Sequence, residues 1–188
     1  MNHTSPNDNT PRRVAGLSIP YRGRARVLRC EQILATPVDE LFPFFADARN
    51  LQAITPDFLD FRVVTEGDIE MKPGTIIDYR LRVRLLPIRW RTEITVWEPN
   101  RRFVDVQRRG PYRLWHHEHT FEPRPDGSTR CLDVVHYAHL GGPIVEKLFV
   151  RPDIEKIFDF RRRKLAERFG EVARPDAAPT TGRPALAG

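Results

Sequence analysis

Residues 76–97, IIDYRLRVRLLPIRWRTEITVW, alternate with period two, and that alternation decides the fold class. Ile77, Tyr79, Leu81, Val83 and Leu85 fall on one side, with Asp78, Arg80, Arg82 and Arg84 on the other. Pro87 breaks the run. Trp90, Thr92, Ile94 and Val96 then alternate with Arg89, Arg91, Glu93 and Thr95, which leaves Trp97 on the charged side. Side chains of a strand point alternately to opposite faces, so two such neighbours predict an antiparallel sheet buried on one face only.

Outward from this hairpin, turn signals recur at Met71-Lys72-Pro73-Gly74, Glu98-Pro99-Asn100, Gly110-Pro111 and Pro125-Asp126-Gly127. They bound further strands at 24–34, 102–108, 112–122 and 128–139, and Leu59, Phe61 and Val63 alternate in the same way before them. In 102–108 the facing is open, because Phe103, Asp105 and Gln107 interleave with Val104 and Val106. Thr36-Pro37 predicts a helix start, with Thr36 as N-cap, Pro37 in the first turn, and Asp39 and Glu40 where the helix dipole favours acids. A second short helical segment covers 47–53. Gly141-Gly142-Pro143 ends the sheet and opens a long helix to Phe169, with Ile154, Ile157, Phe158, Leu165 and Phe169 as its apolar stripe. Pro152 should kink that helix or begin its second part, and Gly170 should stop it.

The order predicts an α+β domain: a curved antiparallel sheet of about seven strands wrapped around one long C-terminal helix, with two short helices after strand 1. One helix cannot fill so deep a curve, so a hollow between helix and sheet is expected, apolar with a few placed polar groups. The domain spans 22–170. The stretches 1–21 and 171–188, rich in Pro, Ala, Thr and Asn without periodicity, read as disordered tails.

The chain has 188 residues, 40% hydrophobic and 30% charged, which suits a single packed core. Its net charge of +6 is carried mostly by Arg, with Lys only at 72, 147, 156 and 164. Arginine-rich sheet edges such as Arg80, Arg82, Arg84, Arg89 and Arg91 suit transient contact with an anionic membrane surface. Nucleic acid is not expected as a partner, because stacking aromatics are sparse on that face. Cys30 and Cys131 lack a metal-type spacing and read as free thiols in a reducing compartment. No secretion-type leader or membrane-length apolar run is present in this sequence, so a cytoplasmic location is expected.

The chemistry-bearing stretch is Trp115-His116-His117-x-His119-x-Phe121. Parity puts His117 and His119 inward with Trp115 and Phe121, and His116 outward. Two imidazoles aimed the same way suggest a metal site, but the third ligand would have to be Asp133 and the set is incomplete, so no metal or other cofactor is expected. Proton transfer on a bound carbonyl compound, with Asp133 fixing a tautomer, is a second reading. The plainer reading has buried histidines bonded to Asp133 or Tyr137, orienting the polar head of a ligand.

Several patterns together carry a family resemblance. They are Ile33-x3-Pro37-x4-Phe42 with Asn50-Leu51, Pro73-Gly74-Thr75, Gly110-Pro111-Tyr112, the His-rich strand, and Gly127-Ser128-x-Arg130-x2-Asp133-x-Val135-x-Tyr137. Over residues 24–169 the chain resembles the helix-grip (SRPBCC) superfamily. That superfamily includes START-like lipid-transport domains, birch-pollen-allergen-like proteins, and polyketide cyclase/dehydratase and coenzyme-Q-binding families. The resemblance implies that Asp133, Val135 and Tyr137 share the cavity face, and that the function is binding or carriage of a small hydrophobic molecule: a lipid, quinone or polyketide-like aromatic. Its ligand wall would be Tyr79, Leu81, Trp90, Ile94, Trp115, His117, His119, Asp133, Tyr137, Phe158 and Arg161, with Phe42, Phe45 and Leu51 near the way in. The alternative is a cyclase/dehydratase-type enzyme using His117, His119 and Asp133 as acid and base. Whether a reaction occurs, and the oligomeric state, stay open at this level.

Overall fold

The structure is a computed structural model that describes residues 21, 23–84, 86–173 and 185–187. The chain runs β1 (Arg26–Leu34), α1 (Val38–Ala46), two 3-10 segments (Ala48–Ile54 and Asp57–Leu59), β2 (Arg62–Val63), β3 (Ile76–Val83), β4 (Leu86–Glu98), β5 (Arg102–Arg109), β6 (Leu114–Pro123) and β7 (Thr129–Ala138). Then come α2 (Gly142–Val145), a π-helical turn (Glu146–Val150), α3 (Arg151–Phe169) and a short β8 (Ala185–Ala187). Every strand pairing is antiparallel, in the order β2-β3-β4-β5-β6-β7-β1-β8. The helix-grip arrangement expected from the alternation is present: seven strands curl over α3, with the short helices after β1.

The β3–β4 alternation holds in the buried set. Ile77, Tyr79, Leu81, Thr92 and Ile94 are buried on the concave face. Past Ile94 the register shifts by one residue, so Trp97 pairs with Phe103 instead of pointing to solvent. Trp97 packs 5.2 Å from Phe42 and 5.5 Å from Phe103. A bulge moves one residue out of register and flips every side chain after it, which is why simple parity misplaced Trp97.

Thr36 does not cap α1. Pro37 occupies the cap position, and the Thr36 hydroxyl donates instead to the carbonyl of Phe169 at 2.9 Å, tying the end of α3 to the start of α1. The Leu59–Val63 alternation gives a 3-10 turn and only a two-residue strand. Pro152 begins the second part of the final helical segment, after the π-helical turn. Gly170 ends it at φ 71°, a left-handed backbone that a side chain disfavours.

Chain beyond Gly170 is tied to β1: Glu171 bridges Leu34, Val172 N–H donates to Ile33 O, and Ala185–Ala187 pairs with Arg29, Leu28 and Val27. The expectations for 1–20 and 174–184 lie outside the described residues. No described helix is long and apolar enough to cross a membrane.

Three apolar clusters fill the concave side. Phe42, Phe44, Phe103, Phe121, Leu34 and Leu165 pack where α1 meets α3. Leu28, Val135, Tyr137, Ile154 and Phe158 pack under the middle and start of α3, and Ile77, Tyr79, Ile94 and Ala48 form the third.

Candidate functional site

Between these clusters the sheet presents a polar node that strand register builds directly. Asp105 on β5 lies opposite His117 on β6, and His119 on β6 lies opposite Asp133 on β7. All four side chains share the concave face. His117 Nε2 lies 3.1 Å from Asp133 Oδ1, and its Nδ1 lies 3.4 Å from Asp105 Oδ2. His119 mirrors this: Nδ1 is 2.7 Å from Asp133 Oδ1, and Nε2 is 3.0 Å from Asp105 Oδ2. The two rings lie 3.7 Å apart at their centroids, so imidazoles and carboxylates alternate around a closed ring. Phe103 stacks on His119 at 4.0 Å, and Phe158 meets His117 edge-on.

Arg161 of α3 closes the node from above. Its Nη2 is 3.7 Å from Asp133 Oδ1 and 3.3 Å from His119 Nδ1, and the residue is 7% exposed. Its Nε is buried without a hydrogen-bond partner among the described residues. An arginine stem on an otherwise apolar helix face is held here because two carboxylates face it from the sheet.

The environments of the two imidazoles differ. Burial, with the charge of His119 beside it, pulls His117 down to about 4. For His119 burial acts in the same downward direction, but the Asp133 charge and the hydrogen bonds to Asp105 and Asp133 outweigh it and raise the group. Burial opposes ionisation of Asp133, yet the Arg161 and His119 charges hold it well below the usual carboxylate range. Asp105 is lowered as well, its burial outweighed by the His119 hydrogen bond together with the positive charge around it. The two carboxylates are drawn toward their charged form, and the guanidinium and the raised His119 lie against them, so opposite charges offset one another in the node. That balance is what permits five titratable groups under a helix.

Asp105, His117 and His119 offer ligand atoms within 4.8 Å of one another, so a divalent ion has a possible donor set there. The third donor in that set is Asp105 rather than the Asp133 expected from sequence. The nearby guanidinium opposes an added cation, and the same atoms already satisfy one another.

Tyr137 is not part of the node. Its hydroxyl donates to Glu146 at 2.8 Å, and Glu146, 6% exposed, also meets Arg26 at 3.1 Å and His139 at 2.6 Å. Sequence reasoning missed Asp105 and Glu146. Trp115 joins Tyr112, Trp90 and Tyr137 in an aromatic group, while Tyr79, Leu81 and Ile94 sit in the β3–β4 part of the core. Phe42 and Phe45 pack on Phe121. His116, on the outer face as expected, is nevertheless only 1% exposed and sits 6.0 Å from His136.

The ligand-sized hollow expected between α3 and the sheet is not open in this structure. The enclosed space bordered by His119, Asp133, Arg161, Phe158, Phe45 and Cys131 is about 10 Å³, room for roughly one water. The side chains of α1 and α3 settle into the curve and fill it. Of the expected wall residues, His119, Asp133, Phe158 and Arg161 border this space. A larger open cleft of about 550 Å³ lies outside it, between Pro56, Asp57 and Phe58 and the α3 residues Lys156, Asp159, Phe160, Arg162 and Arg163. Arg162 of α3 borders both spaces.

On the outer face the arginines pair across strands: Arg91 with Asp78 at 2.8 Å, Arg108 with Glu93 at 2.7 Å, and Arg102 with Glu98 and Glu118.

Residues 34–165 match the family model described as polyketide cyclase/dehydrase and lipid transport, and the chain belongs to that family. Solved structures agree on the fold. Protein CV1439 from Chromobacterium violaceum superposes with TM-score 0.61 at 14% identity, over 77% of this chain and 98% of that one. The Zhui aromatase/cyclase from a Streptomyces species gives 0.60 at 12% identity, over 77% and 93%. TTHA0849 from Thermus thermophilus gives 0.53 at 18% identity, over 75% and 92%. A comparison with curated proteins returns no match.

Proposed function

We propose that this chain binds a small, largely apolar molecule bearing one hydrogen-bond-accepting group, of the lipid, quinone or aromatic polyketide class. The molecule is taken in between the Pro56–Phe58 turn and α3, and its polar group rests on Arg161 beside Asp133 and His119. The observation that carries this reading is the buried Arg161 Nε–H, a donor with no partner at the edge of the inner space. A buried donor without a protein partner is costly to leave unmet, so a ligand oxygen can take it by displacing the one water that the space admits. Family membership supports the apolar class. Binding requires α3 to lift from the sheet, since the resting space holds only about one water.

The test is a thermal-shift panel of lipids, quinones and aromatic polyketides, with mass spectrometry of whatever copurifies. A true ligand at a hundredfold over its Kd stabilises by about 2.7 kcal/mol, and Arg161→Met should lose most of that gain. A stoichiometric absence of copurifying compound, together with no response across the panel, would overturn the proposal.

A second reading has its own support. Neighbouring imidazoles pushed to opposite sides of the ordinary histidine value are suited to act as acid and base on one bound carbonyl compound. Turnover left unchanged by His117→Asn with His119→Asn would dispose of it.

A further inference from the structure

Five of the eight large apolar side chains exposed among the described residues lie at one end of the fold. They are Leu140, Ile144, Leu148 and Phe149 around α2 and the π-helical turn, and Leu86 at the start of β4, with exposures from 43% to 73%. Ile144 and Leu148 are four residues apart in helical chain and so share a side. Arg84 joins the hairpin end to this group: its guanidinium lies 4.7 Å over the Phe149 ring, and its Nε is 3.2 Å from Asp153. The hairpin residues and the helical ones therefore form one patch. Single exposed leucines are ordinary, whereas a contiguous apolar group of this size on a soluble chain marks a contact surface.

The same segment is two-sided. Glu146 points inward to Tyr137, His139 and Arg26, while its neighbours Ile144 and Leu148 point out. Exposed cations flank the apolar group: Lys147 between its two helical members, Arg84 and Arg151 beside it, and Arg82 and Arg89 along the adjoining strands. The acids nearest the patch, Asp153 and Glu155, already pair with Arg84 and Arg151.

We propose that this end of the molecule docks on an anionic lipid bilayer. Ile144, Leu148, Phe149 and Leu86 enter the boundary between headgroups and acyl chains, and Lys147 and Arg89 face lipid phosphates. Charge selects this occupant. A second copy of the chain placed on the patch would meet Lys147 and Arg89, which have no acid partner among the described residues, with a surface of the same sign, whereas an anionic surface neutralises them. Apolar insertion ringed by basic side chains is the pattern by which a protein lies on a membrane without spanning it. The inference holds whatever the interior binds, because the patch and its cations are outside the core.

The experiment is co-sedimentation of the full chain with vesicles of phosphatidylcholine alone or mixed equally with phosphatidylglycerol. Binding is expected on the mixed vesicles, weaker on the neutral ones, and reduced when salt is raised from about 0.1 to about 0.5 M. Ile144→Glu with Leu148→Glu should weaken partitioning by roughly tenfold or more, and Lys147→Glu by a smaller factor. Phe149→Trp should add a blue-shifted emission component that is larger on mixed vesicles than on neutral ones. A melting temperature equal to the parent's shows that each variant is folded. Three results would each overturn the proposal: no partitioning of the parent, equal partitioning of the Glu double variant and the parent, or a concentration-dependent dimer that the same substitutions abolish.

Discussion

From Phe158 to Phe169, α3 is fastened to the first strand and helix: Gln32 donates to the Arg162 carbonyl at 2.8 Å, Thr36 to the Phe169 carbonyl at 2.9 Å, and Ala35 N–H to Gly170 O at 3.2 Å. Leu165 and Phe169 sink into the phenylalanine cluster of α1. The stretch from Gly141 to Pro152 is held otherwise. It carries two glycines at positive φ, a π-helical turn and a proline at the helix start, and it is held to the sheet through the buried carboxylate of Glu146 and, at the surface, by Arg84 over Phe149. One end is clamped by several bonds and the other is held by fewer, so α3 is expected to hinge on its clamped end, the Glu146 end rising furthest when a molecule is taken in. It is also the end that presents the apolar patch.

The largest expected effect tests the clamp's centre. Asp133→Ala leaves the buried Arg161 guanidinium without its carboxylate, and equilibrium denaturation should show a loss of about 3–5 kcal/mol. A loss below about 1 kcal/mol, the range of an exposed ion pair, would mean that the node is solvated and that the two halves of α3 are not held differently.

Next comes pH. His117 is about 4 when folded against 6.5 for the free side chain, so the unfolded chain binds more protons between those values and stability falls as pH drops through that window. The loss amounts to about 3 kcal/mol at most, from 1.36 kcal/mol per pKa unit. His119 has the opposite sign: its raised value adds stability that is present below 6.5 and lost as pH rises through its folded value. Urea midpoints measured from pH 6.5 to 4.5, where the His119 contribution is already complete, should decline, and His117→Gln should flatten the decline. A midpoint that rises on acidification would reverse the assignment of the two rings.

The smallest effects sharpen the comparison itself. Glu146→Gln should cost about 2 kcal/mol by weakening the contacts to Arg26 and His139, and Thr36→Val about 1 kcal/mol by removing one hydrogen bond. Hydrogen exchange should then quicken at 142–150 in the first variant and near 165–170 in the second. Exchange that quickens equally along the whole helix in both would show that α3 moves as one body.

Much of this was legible in the chain. The 76–97 alternation, the Gly and Pro turns, and the 3.6-residue stripe of α3 specify the sheet and its helix because each reports one buried and one wet side. The inward pointing of His117 and His119 followed from Trp115 and Phe121. Asp105 was hidden because β5 is buried on both faces: Val104 and Val106 are 2% and 1% exposed, and Phe103 is 6% exposed. A strand covered on both sides loses the alternation that reveals its facing. Trp97 was misplaced because a bulge leaves no mark in a single strand's composition.

The sequence by itself determined which residues are strands, which helix covers them, and that two histidines enter the interior, because these depend on periodicities shorter than one element. Tertiary structure alone decided that Asp105 meets Asp133 across the two rings, that Tyr137 turns to Glu146, and that α3 sits low enough to leave space for about one water. Those outcomes depend on pairing register and on the depth to which one surface settles into another. Both are set by contacts between residues far apart in the chain, which no local pattern records.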